Sequence, residues 1–593
     1  LFDFEMIEAN YKLITNSNDL RFAVEKLFKH QFVGLDTETT DLDPYRGRLR
    51  LVQFATPDEV FIFDLFAFNE PKQNENLNSL RELIGAQRPV KIAHNTKFDA
   101  KWLRLHLGVD IGGLFDTLLA SQIISAGDTD SSHSLQSVVA RCLNQSLDKA
   151  EQLSNWAGEL TESQLRYATL DAAVMIPLRE KMVEQLKKDS LVKCAQLEFE
   201  CVMPMAHLEL AGIFLDATRW REQLETVKKK REQIADELQE MLAEGALQAS
   251  LFGRAEINLD SHAQVTDALK RLGVPMPEST HSWQLQPLAH DYPAVAKLLK
   301  YRTVQKALTS YGENILEEIN PITGRIHADF YQIGAPTGRM SCSNPNIQQV
   351  PHGEEYRRCF RAPEGRKFAI ADFSQIELRI LAEFSQDEGF MEAFKSGADL
   401  HRATAAQVFN VAPEEVTSEQ RSFSKRLNFG VVYGIGTPRF AMMTGVSTEE
   451  AENMMRNYFR TYSRLDAWLK NAANRAVRDR QTRTASGRLI KFRFDERDNR
   501  QVAATKRNGT NAPIQGSSAD ILKRALRLLH DELKETSACI VNVIHDEIVV
   551  ECDVRQAEEI ANKVERSMVA AGEEYVKTVP IKVDAEIKDE WVK

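Results

Sequence analysis

Two runs of β-branched and apolar residues, 539–544 and 548–552, are interrupted only by His545-Asp546-Glu547 in the stretch ACIVNVIHDEIVVECD. The flanks read as two buried strands, so the interruption is a hairpin with acids at its tip. A plain hairpin turn favours Asn-Gly or Asp-Gly, and neither is present. Two carboxylates between buried strands are costly unless they are paired or bind metal. The tip acids are therefore expected to be paired or to bind metal. The same triplet stands at His530-Asp531-Glu532, but there Leu522, Leu526, Leu529 and Leu533 recur at helical spacing. That second copy is expected to be a solvated helix face.

A partner for the tip lies upstream. KFAIADFSQIELRILAEFS (367–385) begins as a buried strand and becomes a helix. Asp372 falls where the strand ends, and Glu377 and Arg379 follow as the helix starts. One acid from Asp372 and one from Asp546 can hold two cations for nucleotidyl transfer, where the ions activate a primer 3′-hydroxyl and neutralise a triphosphate. Between these segments, Arg421, Lys425, Phe429 and Tyr433 are each four residues apart. That spacing lays two cations and two rings along one helical stripe, matched to the phosphates, sugar and base of a nucleotide. An ordinary amphipathic helix would put the cations outside and the rings inside, which one shared face does not allow. Arg507, Asn511 and Gln515 repeat the interval, although Pro513 is expected to break strict helicity. Amides there can read minor-groove acceptors, which barely change with sequence.

A second acidic set occupies the first third of the chain. Asp36 and Glu38, in FVGLDTETTDL, sit two apart on a strand and so share a face. Asp99 follows a strand and turn in VKIAHNTKFDAKW, and Tyr167 and Asp171 are one helical turn apart in QLRYATLDAA. Four carboxylates converging without basic neighbours would repel, and divalent cations with a preference for hard oxygens relieve this. Such ions activate water for phosphodiester cleavage, with Tyr167 placed to orient it.

The 593 residues allow three or four domains. Residues 1–188 read as one α/β unit. Residues 217–245 form a long charged helix, INLDSHAQV is a polar break, and 294–319 form a second long helix, together an arm without a compact core. After Ile326 strands and helices alternate to the end. The net charge of −11 argues weakly against nucleic acid, but Gln481–Thr510 carries eight Lys/Arg against three acids. A basic stripe on an acidic body suits a polyanion groove. Seven cysteines without a CxxC pair favour a reducing, intracellular setting over a disulfide or zinc framework. No apolar run approaches the roughly 20 residues of a membrane span. The chain opens on Leu1 rather than Met, as a fragment or processed product would.

DFSQIELR, RSFSKRLNFGVVYG and VIHDEIVVE resemble the three polymerase motifs of family A DNA polymerases, the bacterial DNA polymerase I type, and TGRMSCSNPNIQQVP and LLKYRTVQKALTSY are also similar to it. The acids of the first third resemble the DEDD exonucleases of the tyrosine-containing branch. The resemblance spans nearly the whole chain and corresponds to a Klenow-like portion. It implies an α/β multidomain fold, with an RNase H-like DEDD exonuclease domain (1–188) followed by a right-hand polymerase domain (189–593). Within the latter the thumb is about 205–310, the palm about 311–390 and 508–593, and the fingers about 391–507, with INLDSHAQV as the thumb tip.

The implied metal ligands are Asp372 and Asp546, with Glu547 close by, and Asp36, Glu38, Asp99 and Asp171, with Tyr167 assisting. Each active site would take two Mg²⁺, with Mn²⁺ able to substitute. Glu377 would exclude a ribose 2′-hydroxyl. Arg421, Lys425 and His401 would meet the triphosphate, Phe429 the sugar and Tyr433 the templating position. Arg339, Arg507, Asn511, Gln515 and His545 would touch primer–template DNA. The expected partners are DNA and dNTPs, with no membrane, in a monomer that is cytoplasmic if the source is bacterial. Gly509, Thr510 and Leu489 depart from the common family pattern. A 5′-nuclease domain has no counterpart, so removal of primers or damaged 5′ ends is not expected. The rival readings are an RNase D-type nuclease with an inert appendage and a non-catalytic DNA clamp.

Overall fold

The computed structural model describes residues 10–128, 130–243, 257–277, 279–351 and 353–592. Packing divides the chain into two compact units. One holds the described residues up to Gly212, His327–Gln348 and Gly365–Lys588; the other holds Ile213–Ile326, Gln349–Glu364 and the residues from Asp589 on.

The first unit contains a mixed sheet of β1 (Tyr11–Ile14), β2 (Phe32–Thr39), β3 (Leu49–Ala55), β4 (Val60–Asp64), β5 (Val90–Ala93) and β6 (Leu114–Asp116) in the order β1-β4-β3-β2-β5-β6. β2, β3 and β4 form an antiparallel meander. Both faces are covered. Leu35, Val52, Phe54, Phe63, Trp102 and Leu103 fill one core, and Leu51, Ile62, Trp156, Leu165 and Ala168 another. Gly34 in β2 sets the distance to the helix Glu162–Ala173. A Cβ there would stand 2.2 Å from the carbonyl oxygen of Ala172, so only glycine lets Asp171 approach the strand that carries Asp36.

Further along lie β7 (Asp329–Tyr331), β8 (Ser341–Ser343), β9 (Arg366–Phe373), β10 (Gln481–Arg483), β11 (Leu489–Lys491), β12 (Cys539–Ile544), β13 (Glu547–Asp553) and β14 (Val583–Lys588). Four of them make an antiparallel sheet, β12-β13-β9-β14. The expected alternation of strands and helices after Ile326 is interrupted: from Ile376 to Asp479 the regular elements are all helical. The helix Asn499–Leu533 then runs 35 residues, about 52 Å at the standard rise. It passes through Pro513 unbroken, contrary to the expected break. Gly509 is explained here, since a Cβ would stand 2.2 Å from Ala476 Cβ on the helix Ser463–Asp479. Leu489 is buried among Leu186, Leu191 and Cys194, so its apolar side chain closes a core rather than facing solvent.

The second copy of the triplet is not a solvated face throughout. Asp531 and Glu532 are exposed, but His530 is buried, and burial holds its pKa down at about 4, leaving a neutral ring at pH 7.

A buried charge network joins the helix Val192–Ala211 to the long helix. Arg488 binds Glu198 and lies 2.7 Å from Asp520 Oδ1. Lys523 donates to Glu198 and, at 2.8 Å, to the Gly338 carbonyl. Thr484 and Ser486 donate to Asp520 at 2.6 Å. Two acids and two bases balance, so removing one leaves a buried charge uncompensated. Arg488→Met is expected to cost about 3–5 kcal/mol, measured as a lowered urea midpoint of this unit.

In the second unit the helices Ala217–Ala243 and Pro293–Ser310 pack together. The second helix ends at Ser310 rather than running to 319, because Tyr311 leaves helical geometry before Gly312. These helices are not a bare arm. Leu238, Leu242, Val265, Leu269, Val295 and Leu298 form a core of their own. Residues 244 and 245 of the first expected helix lie outside the described residues. At the other end Trp220 and Trp591 pack edge-on against Phe360.

Candidate functional site

The structure gathers the first acidic set into one cavity of about 980 Å³, lined by Asp36, Glu38, Asp99, Tyr167 and Asp171 among others. Asp36 and Glu38 project from β2 beside Thr37, whose hydroxyl donates to Asp99 Oδ1 at 2.6 Å. Asp99 sits in the first turn of the helix Thr96–Leu107, which Asn95 opens from the left-handed region (φ 60°). The Thr96 N–H donates to Asp116 at 2.7 Å and anchors that turn.

Burial pushes the Asp99 pKa up to about 7. Burial followed by the neighbouring carboxylates pushes Asp36 and Glu38 well above the ordinary range. Asp171 is also raised, chiefly by burial. One expectation is corrected: the acids do have a basic neighbour. Lys149 binds Asp171 and donates to the Tyr167 hydroxyl at 3.2 Å. Asp171 Oδ1 is buried without a hydrogen-bond partner. An all-oxygen donor set, mutual repulsion and an unfilled buried carboxylate oxygen fit a divalent cation.

These shifts give a signed prediction. Between the ordinary carboxylate pKa, about 3.9, and about 7, native Asp99 holds a proton that the unfolded chain has released. The native state then binds more protons, so this contribution to stability falls as pH rises through that window. Chelated wild type should therefore lose more Tm from pH 4 to pH 7 than chelated Asp99→Asn. Mg²⁺ should restore more Tm at the upper end.

The second set is built on the four-stranded sheet. β9 is central, with Asp372 in register with Glu547 on one side and Asp584 on the other. β12 and β13 are joined by the two-residue turn His545-Asp546, with His545 in the left-handed region (φ 54°). The hairpin expected from the sequence is present, but Glu547 already belongs to β13. A cavity of about 420 Å³ is lined by Asp372, Asp546, His545, Arg339, Glu377, Phe429 and Tyr433. Gln375 (φ 56°) turns the chain so that Glu377 falls in the first turn of the helix Ile376–Ser385. The Tyr433 hydroxyl donates to Glu377 Oε2 at 2.9 Å, and Arg339 pairs with Oε1 at 2.5 Å. The donors from Asp372 and Asp546 are oxygens, which again suit a hard divalent ion.

Not every expected residue reaches this cavity. Glu547 is buried beside Asp372 and does not line it. His401 is 2% exposed, near the Asn428 amide at 3.0 Å and the Phe429 ring. Burial holds its pKa at about 4. In this structure its ring stands against that of Phe429, with centroids 5.8 Å apart. Arg421 pairs with Asp399 at 2.5 Å, and Lys425 is exposed. The stripe is real along the helix Ser418–Val432, with Tyr433 as its cap residue. Asn511 donates to the Tyr433 carbonyl at 3.3 Å, Gln515 is half-buried and Arg507 is exposed. Lys149 was missed because the segment SLDKAEQLSNW has no periodicity that points it at Asp171.

The two carboxylate pockets thus stand on different frames, one on a mixed sheet with helices on both faces and one on an antiparallel four-stranded sheet. The model of DNA polymerase family A matches residues 224–593, and that of a 3′–5′ exonuclease matches residues 11–187. DNA polymerase I of Aquifex aeolicus is 32% identical over 98% of this chain and 100% of its own. That of Pseudomonas aeruginosa is 30% identical over 98% of this chain, which spans 66% of that longer protein. The solved POL domain of Pol1 from M. smegmatis, in complex with DNA primer-template and dNTP, shares the fold with a TM-score of 0.84 at 24% identity, covering 99% of each chain.

The chain belongs to DNA polymerase family A and carries a 3′–5′ exonuclease domain. Template-directed DNA synthesis with proofreading, dependent on divalent metal, is the function that goes with this membership. Among the described residues no helix is long and apolar enough to cross a membrane.

Proposed function

We propose that the chain extends a DNA primer at the Asp372–Asp546 cavity and trims it at the Asp36–Asp171 cavity, with dNTPs and primer–template DNA as its partners and the cytoplasm as its location. The observation that carries this reading is the convergence of Asp372 and Asp546, 174 positions apart, on one cavity with Glu377, Phe429 and Tyr433. Asp372 and Asp546 would hold two Mg²⁺, and Asp36, Glu38, Asp99 and Asp171 two more; Mn²⁺ has the same donor preference. Bound there, the ions activate the attacking oxygen and steady the leaving one.

The protein's own groups do the positioning. Arg339 and Tyr433 clamp Glu377 against the cavity wall, where its side chain blocks a ribose 2′-hydroxyl. Phe429 packs beside the sugar. Arg421 exchanges Asp399 for a phosphate oxygen, and exposed Lys425 adds a second charge. Arg507, Asn511, Gln515 and His545 face the duplex. In the other cavity Tyr167 orients the water, and Lys149 holds Asp171 in place. The exonuclease segment is assigned to 1–188, with thumb about 205–310, palm about 311–390 and 508–593, and fingers about 391–507.

A primer-extension gel tests the reading. With Mg²⁺ and dNTPs the primer should lengthen; with Mg²⁺ alone it should shorten. Shortening under both conditions would favour a nuclease with an inert appendage.

A further inference from the structure

We propose that Asp110, His207 and His530 form a transition-metal site, suited to Zn²⁺, which ties the six-stranded-sheet domain to the long helix Asn499–Leu533. One ring nitrogen of each histidine and one carboxylate oxygen of Asp110 lie within 4.8 Å of one another. His207 Nε2 is 2.8 Å from Asp110 Oδ1. The two imidazoles meet edge to face, with centroids 4.7 Å apart. His530 is only 7% exposed, and its Nδ1 is enclosed with no hydrogen-bond partner. A buried ring nitrogen left without a partner is destabilising, and such groups call for an explanation. A bound cation supplies one.

The donor chemistry selects the ion. Two imidazoles and one carboxylate, with water in the fourth position, make a tetrahedral Zn²⁺ set. Mg²⁺ prefers oxygens and octahedral geometry, so this site and the carboxylate pockets sort different metals. The three residues come from separate parts of the chain. Asp110 follows the helix Thr96–Leu107, His207 lies in Val192–Ala211 and His530 in the long helix. None of them lines either catalytic cavity.

The surroundings limit affinity. Arg104 stands 3.6 Å from the same Asp110 oxygen, and Arg527 and Lys534 also act on His530. Asp531 Oδ1, 4.0 Å from His530 Nδ1, offsets part of that charge. An ion here is held less tightly than in a cysteine cage and is removed by chelators. The ion crosslinks the folded form and stabilises it by mass action.

The test uses Co²⁺ as probe on the full chain in excess Mg²⁺, which keeps the carboxylate pockets supplied with their preferred ion. A visible absorption band of tetrahedral, imidazole-bound Co²⁺ should rise to one equivalent per chain and stop, and Zn²⁺ should displace it. His530→Ala and Asp110→Asn should each abolish the band. Asp110 is partly exposed, so Asp110→Asn keeps the test open if His530→Ala fails to fold, and its primer extension should be unchanged. Absence of a band, or a band that survives Asp110→Asn, overturns the proposal. A band lost with Asp36→Ala instead would place the ion in the exonuclease pocket and overturn it equally.

Discussion

Asp372→Ala should abolish primer extension while leaving 3′–5′ trimming intact. The expected fall in extension rate is about 10³-fold or more, about 4 kcal/mol of lost barrier reduction. The size follows from geometry. Asp372 stands on the central strand of its sheet, held from both sides by β13 and β14, so its carboxylate is delivered by a rigid frame. Its strand neighbours Glu547 and Asp584 do not line the cavity, so neither stands ready in its place. Asp372→Asn should fail nearly as badly, since an amide keeps the shape but brings no charge to a cation. The fold should survive, because β9 buries Phe368, Ala369, Ile370 and Ala371, none of which is touched. The measurement is single-nucleotide extension on a primed template, with single-strand degradation as the control. Loss of both activities would mean that the two pockets are not separate machines.

The parts legible in the sequence were those that local pattern encodes. A strand of apolar residues ending in an acid, as at Asp36 or Asp372, states its period and its polar end within ten residues. The hairpin at His545 was legible because β-branched runs flank it. What was not legible depends on long-range packing. Lys149 meets Asp171 22 positions away, across a segment without regular period. The burial of His530 depends on His207, 323 positions upstream, and a leucine ladder on one side of a helix says nothing about what covers the other. Pro513 misled for a related reason. Local rules make proline a helix breaker, but here the helix continues through a buried Pro513. Glycines carried hidden information too. Gly34 and Gly509 read as weak points in sequence and are close-approach points in the structure.

The charge state of the exonuclease pocket leads to the second large effect. Asp36→Ala should reduce 3′–5′ trimming by about 10³-fold or more, again about 4 kcal/mol, with primer extension unchanged. The same substitution should also raise Tm in chelator. Asp36, Glu38, Asp99 and Asp171 all have raised pKa values, burial being the first cause and mutual repulsion adding to it at Asp36 and Glu38. Each is thus a stability cost carried for function. Removing one acid relieves the others, and Lys149 remains on Asp171 to hold the helix Glu162–Ala173 in place. With Mg²⁺ present the order should reverse. Wild type gains the binding energy of the ions, whereas Asp36→Ala has lost a ligand and gains little. A pair of melting curves, in chelator and in Mg²⁺, therefore separates a metal-holding acid from one that merely caps a strand. If Asp36→Ala melted lower than wild type in chelator, Asp36 would be a structural residue, and the lost trimming would have to be attributed to a disturbed fold.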